Sequence, residues 1–317
     1  MKWALLFPGQ GAQHLGMGLD LAREYPSARR VFEEADRALG FSLSRLCSEG
    51  PAERLNLTEY TQPALVTASV AAWRVLESEG VEPSVTAGLS LGEYAALVAV
   101  GSLDFPDAVR LVRNRGRYMQ ECVPEGQGGM AAVIGLESAQ VEDLCRQVST
   151  DDRWVQPANY NGPGQIVISG HTVTVEAACQ AALKEGAKKA VPLPVSAPFH
   201  CRLMDRAAER LRADLETVPL RAARAPLVTN YTGQALTDPG DLTEALLEGI
   251  RNPVRWDECV RAIGHMEPDV WAEIGPGKAL ASMVKRILSG TRVKPGGSVP
   301  DVRNLVEIHR GACYNAS

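Results

Sequence analysis

The stretch Gly88-Leu89-Ser90-Leu91-Gly92 decides how this chain is read. It spells Gly-x-Ser-x-Gly, the spacing of a sharp strand-to-helix turn that pushes one serine hydroxyl out to where a substrate reaches it. Glycine is needed on both sides, because a side chain would block the tight turn and the close approach of helix to strand. The flanks supply the context such a turn requires. Val85 to Leu89 is a short apolar run that predicts a buried strand, and Glu93 to Val100 predicts a helix. Ser90 is therefore the candidate nucleophile, and the chemistry it points to is acyl chemistry.

Outward from this turn the pattern is that of an α/β protein. Trp3 to Phe7 reads as a short buried strand running into Pro8-Gly9-Gln10-Gly11-Ala12-Gln13, a loop rich in exposed backbone amides. Helical patterns cover residues 18–39, 64–79 and 105–121. Gly126-Gln127-Gly128-Gly129 marks a break. After it come a strand (130–136), an amphipathic helix (138–148), two strands (155–160 and 165–169), a helix (173–185) ended by Gly186 as C-cap, and a strand (189–195). That order, β-α-β-β-α-β, is the ferredoxin-like unit, here an inserted small domain of about seventy residues. The expected organisation is a large α/β domain of residues 1–126 and 197–317 with a small domain of residues 127–196. Gly275-Pro276-Gly277 is a turn, and the last dozen or so residues read as a weakly anchored tail.

The chain has 317 residues, 45% hydrophobic and 22% charged, an ordinary balance for a globular protein with a large core. The net charge of −5 argues against nucleic acid as the main partner. The apolar run at Trp3–Phe7 is too short for a signal peptide, and no stretch approaches a membrane span. Seven scattered cysteines without a Cys-x-x-Cys pair suggest neither a disulfide framework nor a zinc site, which fits a reducing cytoplasm.

A serine nucleophile needs a general base, most often histidine. The chain holds His14, His171, His200, His265 and His309. His309 lies in the expected tail and His265 at the end of a helical segment, both read as solvent-facing; His171 sits in a turn of the small domain. His14, near the glycine loop, stays open. His200 falls where the chain re-enters the large domain, and domain junctions are where clefts form. It is the leading candidate, against the alternative of a buried, hydrogen-bonded structural histidine. Its neighbour Cys201 reads as packing.

One arginine stands apart. Arg110, Arg113 and Arg117 share a solvated stripe of the 105–121 helix. Arg115 has Leu111, Val112, Tyr118 and Met119 as its helical neighbours and so points along the apolar face. A buried guanidinium without a partner is costly, so it should meet a carboxylate. The partner is either an internal Asp or Glu in a structural salt bridge, or the carboxylate of a substrate gripped by parallel hydrogen bonds.

With these residues in hand, the chain resembles the malonyl-CoA:acyl carrier protein transacylases and the related acyltransferase domains of polyketide synthases. The matching segments run in order over nearly the whole chain. They include Phe7 to Gln13, Thr61-Gln62-Pro63-Ala64, Gly88 to Tyr94, Asn114 to Gln120, Ala158-Asn159-Tyr160-Asn161, Gln165 to Gly170, Ser196 to Met204, Asn252 to Trp256 and Glu273 to Gly277. The resemblance implies an α/β-hydrolase-like large domain carrying a ferredoxin-like insertion. It implies Ser90 as nucleophile and His200 as base, with the backbone amides of Gln10 and Leu91 as oxyanion hole. Arg115 is implied as the clamp for the free malonyl carboxylate, Gln62 as a residue lining the acyl pocket, and the carbonyl of residue 249 as the group that orients the histidine.

Two positions depart from the family's commonest pattern. Leu89 stands where histidine is frequent, and Gly249 where glutamine is frequent. Leu89 bears on the pocket or the carrier-facing surface; glycine at 249 keeps the carbonyl but brings no side chain near the substrate, so it bears on acyl selectivity more than on catalysis. The implied activity is ping-pong transfer of a malonyl group from its coenzyme A thioester to the pantetheine thiol of an acyl carrier protein. No metal or redox cofactor is called for, and the chain is expected to act as a monomer in fatty acid synthesis, with a polyketide carrier as alternative. An acyl hydrolase is the less favoured reading, since it has little use for a malonate clamp, and a scaffold would require a damaged site. Acyl carrier proteins are acidic, so a basic rim is expected among Arg113, Arg117, Lys188, Lys189, Arg202, Lys285 and Arg286.

Overall fold

The computed structural model describes residues 1–124, 126–195 and 197–316, with backbone alone at 315 and 316. Its strands, numbered β1 to β10 along the chain, form two sheets. The first contains β1 (Trp3–Phe7), β2 (Val85–Gly88), β7 (Leu227–Val228), β8 (Ala235–Leu236), β9 (Val270–Glu273) and β10 (Val293–Pro295) in the order β10-β9-β1-β2-β7-β8. Its neighbours pair in parallel except at the β7–β8 edge. The second contains β3 (Gly128–Ile134), β4 (Val155–Tyr160), β5 (Gln165–His171) and β6 (Lys189–Pro192), all antiparallel, in the order β4-β5-β3-β6. That order, with helices Ser138–Val148 and Thr172–Lys184 between the strands, is the ferredoxin-like arrangement. The expected junction at 196–197 touches Ser196, which lies outside the described residues.

Alternation along β1 shows why the large sheet carries helices on both faces. Trp3, Leu5 and Phe7 enter one apolar core, packed by helices Pro26–Leu39, Thr58–Ser78, Gly92–Ala99 and Phe105–Glu121. Ala4 and Leu6 enter a second, packed by helices Trp256–Gly264 and Ala279–Ile287. A strand buried on both faces reads as a continuous apolar run, as Trp3–Phe7 does. A third core lies between the small sheet and its two helices. Among the described residues no helix is long and apolar enough to cross a membrane.

The structure corrects three expectations. The helical pattern over 18–39 is two helices, Leu19–Glu24 and Pro26–Leu39, because Tyr25 before a proline is extended (ψ 122°) and Pro26 starts a new helix at its first turn. The helix expected from Ala64 begins at Thr58 and runs through Pro63; burial of nearly every side chain along it outweighs the missing backbone bond. The expected tail is helix Val299–Ala316. Val302 and Leu305 are fully buried, and Arg303 and Arg310 pair with Glu24 and Glu79. His309 is consequently half-buried, its ring 6.2 Å from that of Trp3, rather than solvent-facing.

Candidate active site

Because Phe7 lies opposite Gly88 in the parallel β1–β2 pair, the loops leaving both strands meet at the carboxyl edge of the sheet. That edge is where open α/β sheets bind ligands. The approach is close: the Leu89 amide donates to the Phe7 carbonyl at 3.0 Å. A Cβ on Gly88 would stand 1.9 Å from the Gly92 carbonyl carbon, and one on Gly92 would stand 2.1 Å from the Phe7 oxygen. Both glycines of the motif are therefore dictated by backbone packing. Ser90 between them sits at φ 51°, in the left-handed region that non-glycine residues rarely adopt.

The strain at Ser90 is held by a residue the sequence did not single out. Asn230 follows β7, the neighbour of β2. Its Oδ1 accepts from the Ser90 amide at 2.5 Å, and its Nδ2 donates to the Gly88 carbonyl at 2.7 Å, so one side chain clasps both ends of the turn. Its own amide donates to Glu93 Oε1 at 2.8 Å. Burial pushes the Glu93 carboxyl up to about 8, against the opposing pull of that amide and of Arg115. The only forewarning was an Asn after a short apolar run, a signal too common to act on.

The Ser90 Oγ lies 2.7 Å from His200 Nε2. His200 Nδ1 lies 2.7 Å from the Gly249 carbonyl oxygen. A carbonyl only accepts, so Nδ1 carries the proton and Nε2 is left to take one from serine. The Gly249 oxygen is available because the partner it would have one helical turn on is Pro253, which has no N–H. His200 is buried, and burial first, then the Arg115 charge, lowers its pKa to about 4, so it is a neutral base at pH 7. A Cβ on Gly249 would face Glu93 Oε2, 3.9 Å away. Gly249 is not among the residues that line the cavity. Leu89 does line the cavity.

Arg115 is buried as expected, 4% exposed, but its partners are not carboxylates. Nη1 donates to Gln62 Oε1 and Nη2 to the Ser90 Oγ, both at 2.9 Å, and the guanidinium lies 5.8 Å from the centre of the Tyr94 ring. No ion pair forms at Arg115 among the described residues, so the internal salt bridge is not found. Gln62 is itself buried, its amide nitrogen 3.7 Å from the Met119 sulfur.

Ser90, His200, Arg115, Gln62, Gln10 and Leu91 all border one cavity of about 570 Å³. Among the described residues no acceptor engages the backbone amides of Gln10 or Leu91, while the Gln10 side chain anchors its loop to Thr58 Oγ1 at 3.2 Å. A larger hollow of about 830 Å³ shares only the Met130, Leu193 and Val195 wall and holds none of these groups. The other histidines lie elsewhere: His14 and His265 are exposed, and His171 ends β5 with its ring against Trp154. Cys201 is buried, donates to the Pro198 carbonyl and has its thiol pushed up to about 11 by burial, in keeping with packing. Of the expected basic rim, Arg113 stacks on Phe41 and Arg117 lies 3.9 Å from Glu121; Lys188, Lys189, Arg202, Lys285 and Arg286 are exposed, with Arg286 bonded to Gln165.

Residues 4–309 match the acyl transferase domain family. The chain is 47% identical over 288 residues to the malonyl CoA-acyl carrier protein transacylase of Salmonella typhimurium, covering 90% of this chain and 93% of that one. It is 45% identical over 286 residues to the Bacillus subtilis transacylase of the same name, covering 90% of each. The solved Coxiella burnetii malonyl CoA-acyl carrier protein transacylase superposes with a TM-score of 0.94 at 42% identity, over 97% of both chains. A malonyl-transacylase in complex with a type II PKS acyl-carrier protein does so with the same score and identity, over 97% of this chain and 99% of that one.

A strained serine at a strand-to-helix turn, its histidine and two amides unengaged among the described residues, taken with the family match, define an acyltransferase of the α/β class. The chain belongs to the acyl transferase family, and within it to the malonyl CoA-acyl carrier protein transacylases.

Proposed function

We propose that the protein moves a malonyl group from malonyl-CoA to the pantetheine thiol of an acyl carrier protein through a malonyl ester on Ser90, supplying extender units for fatty acid synthesis in the cytoplasm. The observation that carries this reading is Arg115: a buried guanidinium, paired with no acid among the described residues, 2.9 Å from the nucleophile. A fork of N–H donors in that place matches an acyl group that ends in a carboxylate.

His200 Nε2 takes the Ser90 proton as Oγ attacks the thioester carbonyl. The oxyanion forms between the Gln10 and Leu91 amides, and removing one such donor typically costs about 3–4 kcal/mol in the barrier. The carbon–sulfur bond breaks, His200 returns the proton to sulfur, and coenzyme A leaves. The carrier thiol then gives its proton to His200 and attacks the ester, the Ser90 oxygen leaves with that proton, and the malonyl thioester departs on the carrier. Nucleophile, base and charge clamp are all protein groups, so the reading calls for no metal or redox cofactor.

A panel of acyl-CoAs offered to the pure protein tests this. Intact-protein mass should show malonyl on Ser90 and its transfer to an added acyl carrier protein. An adduct on Ser90→Ala, or hydrolysis that outruns transfer in the presence of carrier, would refute it. The similar transacylase solved with a type II PKS acyl-carrier protein motivates a second reading, loading of a polyketide carrier. Competition between fatty acid and polyketide carriers for the malonyl enzyme decides it.

A further inference from the structure

We propose that Arg115 restrains Ser90 through their hydrogen bond, and that a carboxylate on the acyl group frees the nucleophile by drawing the guanidinium onto itself. The proposal rests on the malonyl-transfer reading and deepens it: selectivity then acts on the rate of Ser90 attack as well as on binding.

Arg115 is a buried cation whose hydrogen-bond acceptors among the described residues are neutral. Arg115 gives one N–H to Gln62 Oε1 and one to Ser90 Oγ, and meets no anion in an ion pair among the described residues. A serine hydroxyl has one proton and two lone pairs. The proton is directed at His200 Nε2, 2.7 Å away, and Arg115 engages a lone pair on the same oxygen. A neutral acyl thioester therefore meets a nucleophile whose electron density is already shared. A carboxylate is a stronger acceptor than a hydroxyl, because charge-assisted hydrogen bonds are about twice as strong as neutral ones and the planar fork matches two oxygens at once. The exchange of Ser90 for carboxylate at Arg115 is thus downhill.

The nearby carboxyl of Glu93 does not pre-empt this exchange. It is occupied by the Asn230 amide, and burial holds it largely protonated at neutral pH. A second consequence acts in the same direction. The Arg115 charge weakens His200 as a base, so a carboxylate that neutralises it strengthens the group that must accept the serine proton.

Acetyl-CoA is malonyl-CoA without the carboxylate, and formate supplies that carboxylate as a separate piece. The experiment measures the initial rate of acetyl-Ser90 formation by intact-protein mass on the full wild-type chain, with sodium formate or sodium chloride at equal ionic strength. In the reaction the Ser90 Oγ–carbonyl bond forms, the carbon–sulfur bond breaks, the proton passes through His200 to sulfur, and formate is unchanged. Formate should speed acetylation about 10-fold or more, the worth of one charge-assisted hydrogen bond. Arg115→Ala should acetylate faster than wild type and ignore formate. A clamp that only attracts carboxylates predicts the opposite in wild type, since bound formate fills space and lends nothing to attack. The wild-type comparison needs no variant to fold. If malonyl-CoA acylates Ser90 while formate leaves acetylation unchanged or slower, the restraint is refuted and the transfer reading stands. If malonyl-CoA itself fails to acylate Ser90, both fall.

Discussion

Asn230→Ala removes the clasp on the nucleophile turn, and its effect can be worked from the contacts. The Ser90 amide loses its acceptor at 2.5 Å and the Gly88 carbonyl loses its donor at 2.7 Å. Leaving one buried polar group unpaired costs about 1–3 kcal/mol, so the pair amounts to roughly 2–6 kcal/mol. Part returns if Ser90 relaxes from φ 51°, a strain worth about 1 kcal/mol or more. Relaxation, however, swings Oγ away from His200. The variant should therefore lose roughly 1–5 kcal/mol in urea unfolding at unchanged m-value, and its acylation by malonyl-CoA should fall in kcat with KM little altered. If Asn230→Ala unfolds within about 0.5 kcal/mol of wild type and acylates normally, the turn is held by something else and the reasoning fails.

Three further outcomes follow from the same site. His200 has a native pKa of about 4 against an ordinary 6.5, so the unfolded chain binds a proton first as pH falls. Its neutral burial is fully tolerated above pH 6.5, and a contribution of about 3 kcal/mol is lost on descent to pH 4; the wild-type urea midpoint should fall accordingly relative to His200→Gln, while Ser90 acylation stays level from pH 7 to about pH 5. Glu93 has the opposite sign: raised to about 8, its protonated form is stabilising below about 4.5 and that benefit fades as pH climbs through 8, so Glu93→Gln should gain on wild type by on the order of 4 kcal/mol between pH 5 and pH 9. Gly92→Ala should be destabilised by about 3 kcal/mol or more despite alanine's better helix propensity, because the added Cβ meets the Phe7 carbonyl oxygen at 2.1 Å; a gain in thermal midpoint would refute that packing.

What could be read from the chain depended on whether the cause was local. The turn at Ser90, the β-α-β-β-α-β order of residues 128–192 and the helix Phe105–Glu121 follow from spacing, turn residues and apolar period, and all are present. The burial of Arg115 was legible from its helical neighbours, but its partners were not. Gln62 lies 53 residues away and Ser90 25, and nothing in the helix itself points to either. Asn230 was invisible for the same reason: it acts across 140 residues through the pairing of β2 with β7. The terminal helix was missed for a different one. Val299, Val302, Leu305, Val306 and His309 do share a face, but charged residues between them mask the stripe.

The charges of the buried site explain why its histidine is oriented by a carbonyl rather than an acid. Around pH 7 His200 is neutral, Glu93 is largely protonated, and Arg115 alone carries charge. An aspartate at the Gly249 oxygen would orient His200 equally well, but it would place a negative charge inside the cavity, raise the His200 pKa and offer Arg115 an internal counter-ion. The carbonyl orients the ring and leaves the net charge at one positive. A malonyl thioester, with one carboxylate, brings that total to zero, whereas a neutral acyl group leaves the buried guanidinium uncompensated. Placing the compensating charge on the substrate makes charge balance itself the test an acyl group must pass. Hence an acid introduced next to Arg115 should erode malonyl preference even where it leaves Ser90 and His200 in place, and acyl-enzyme yields from malonyl-CoA and acetyl-CoA on Gln62→Glu would show whether it does.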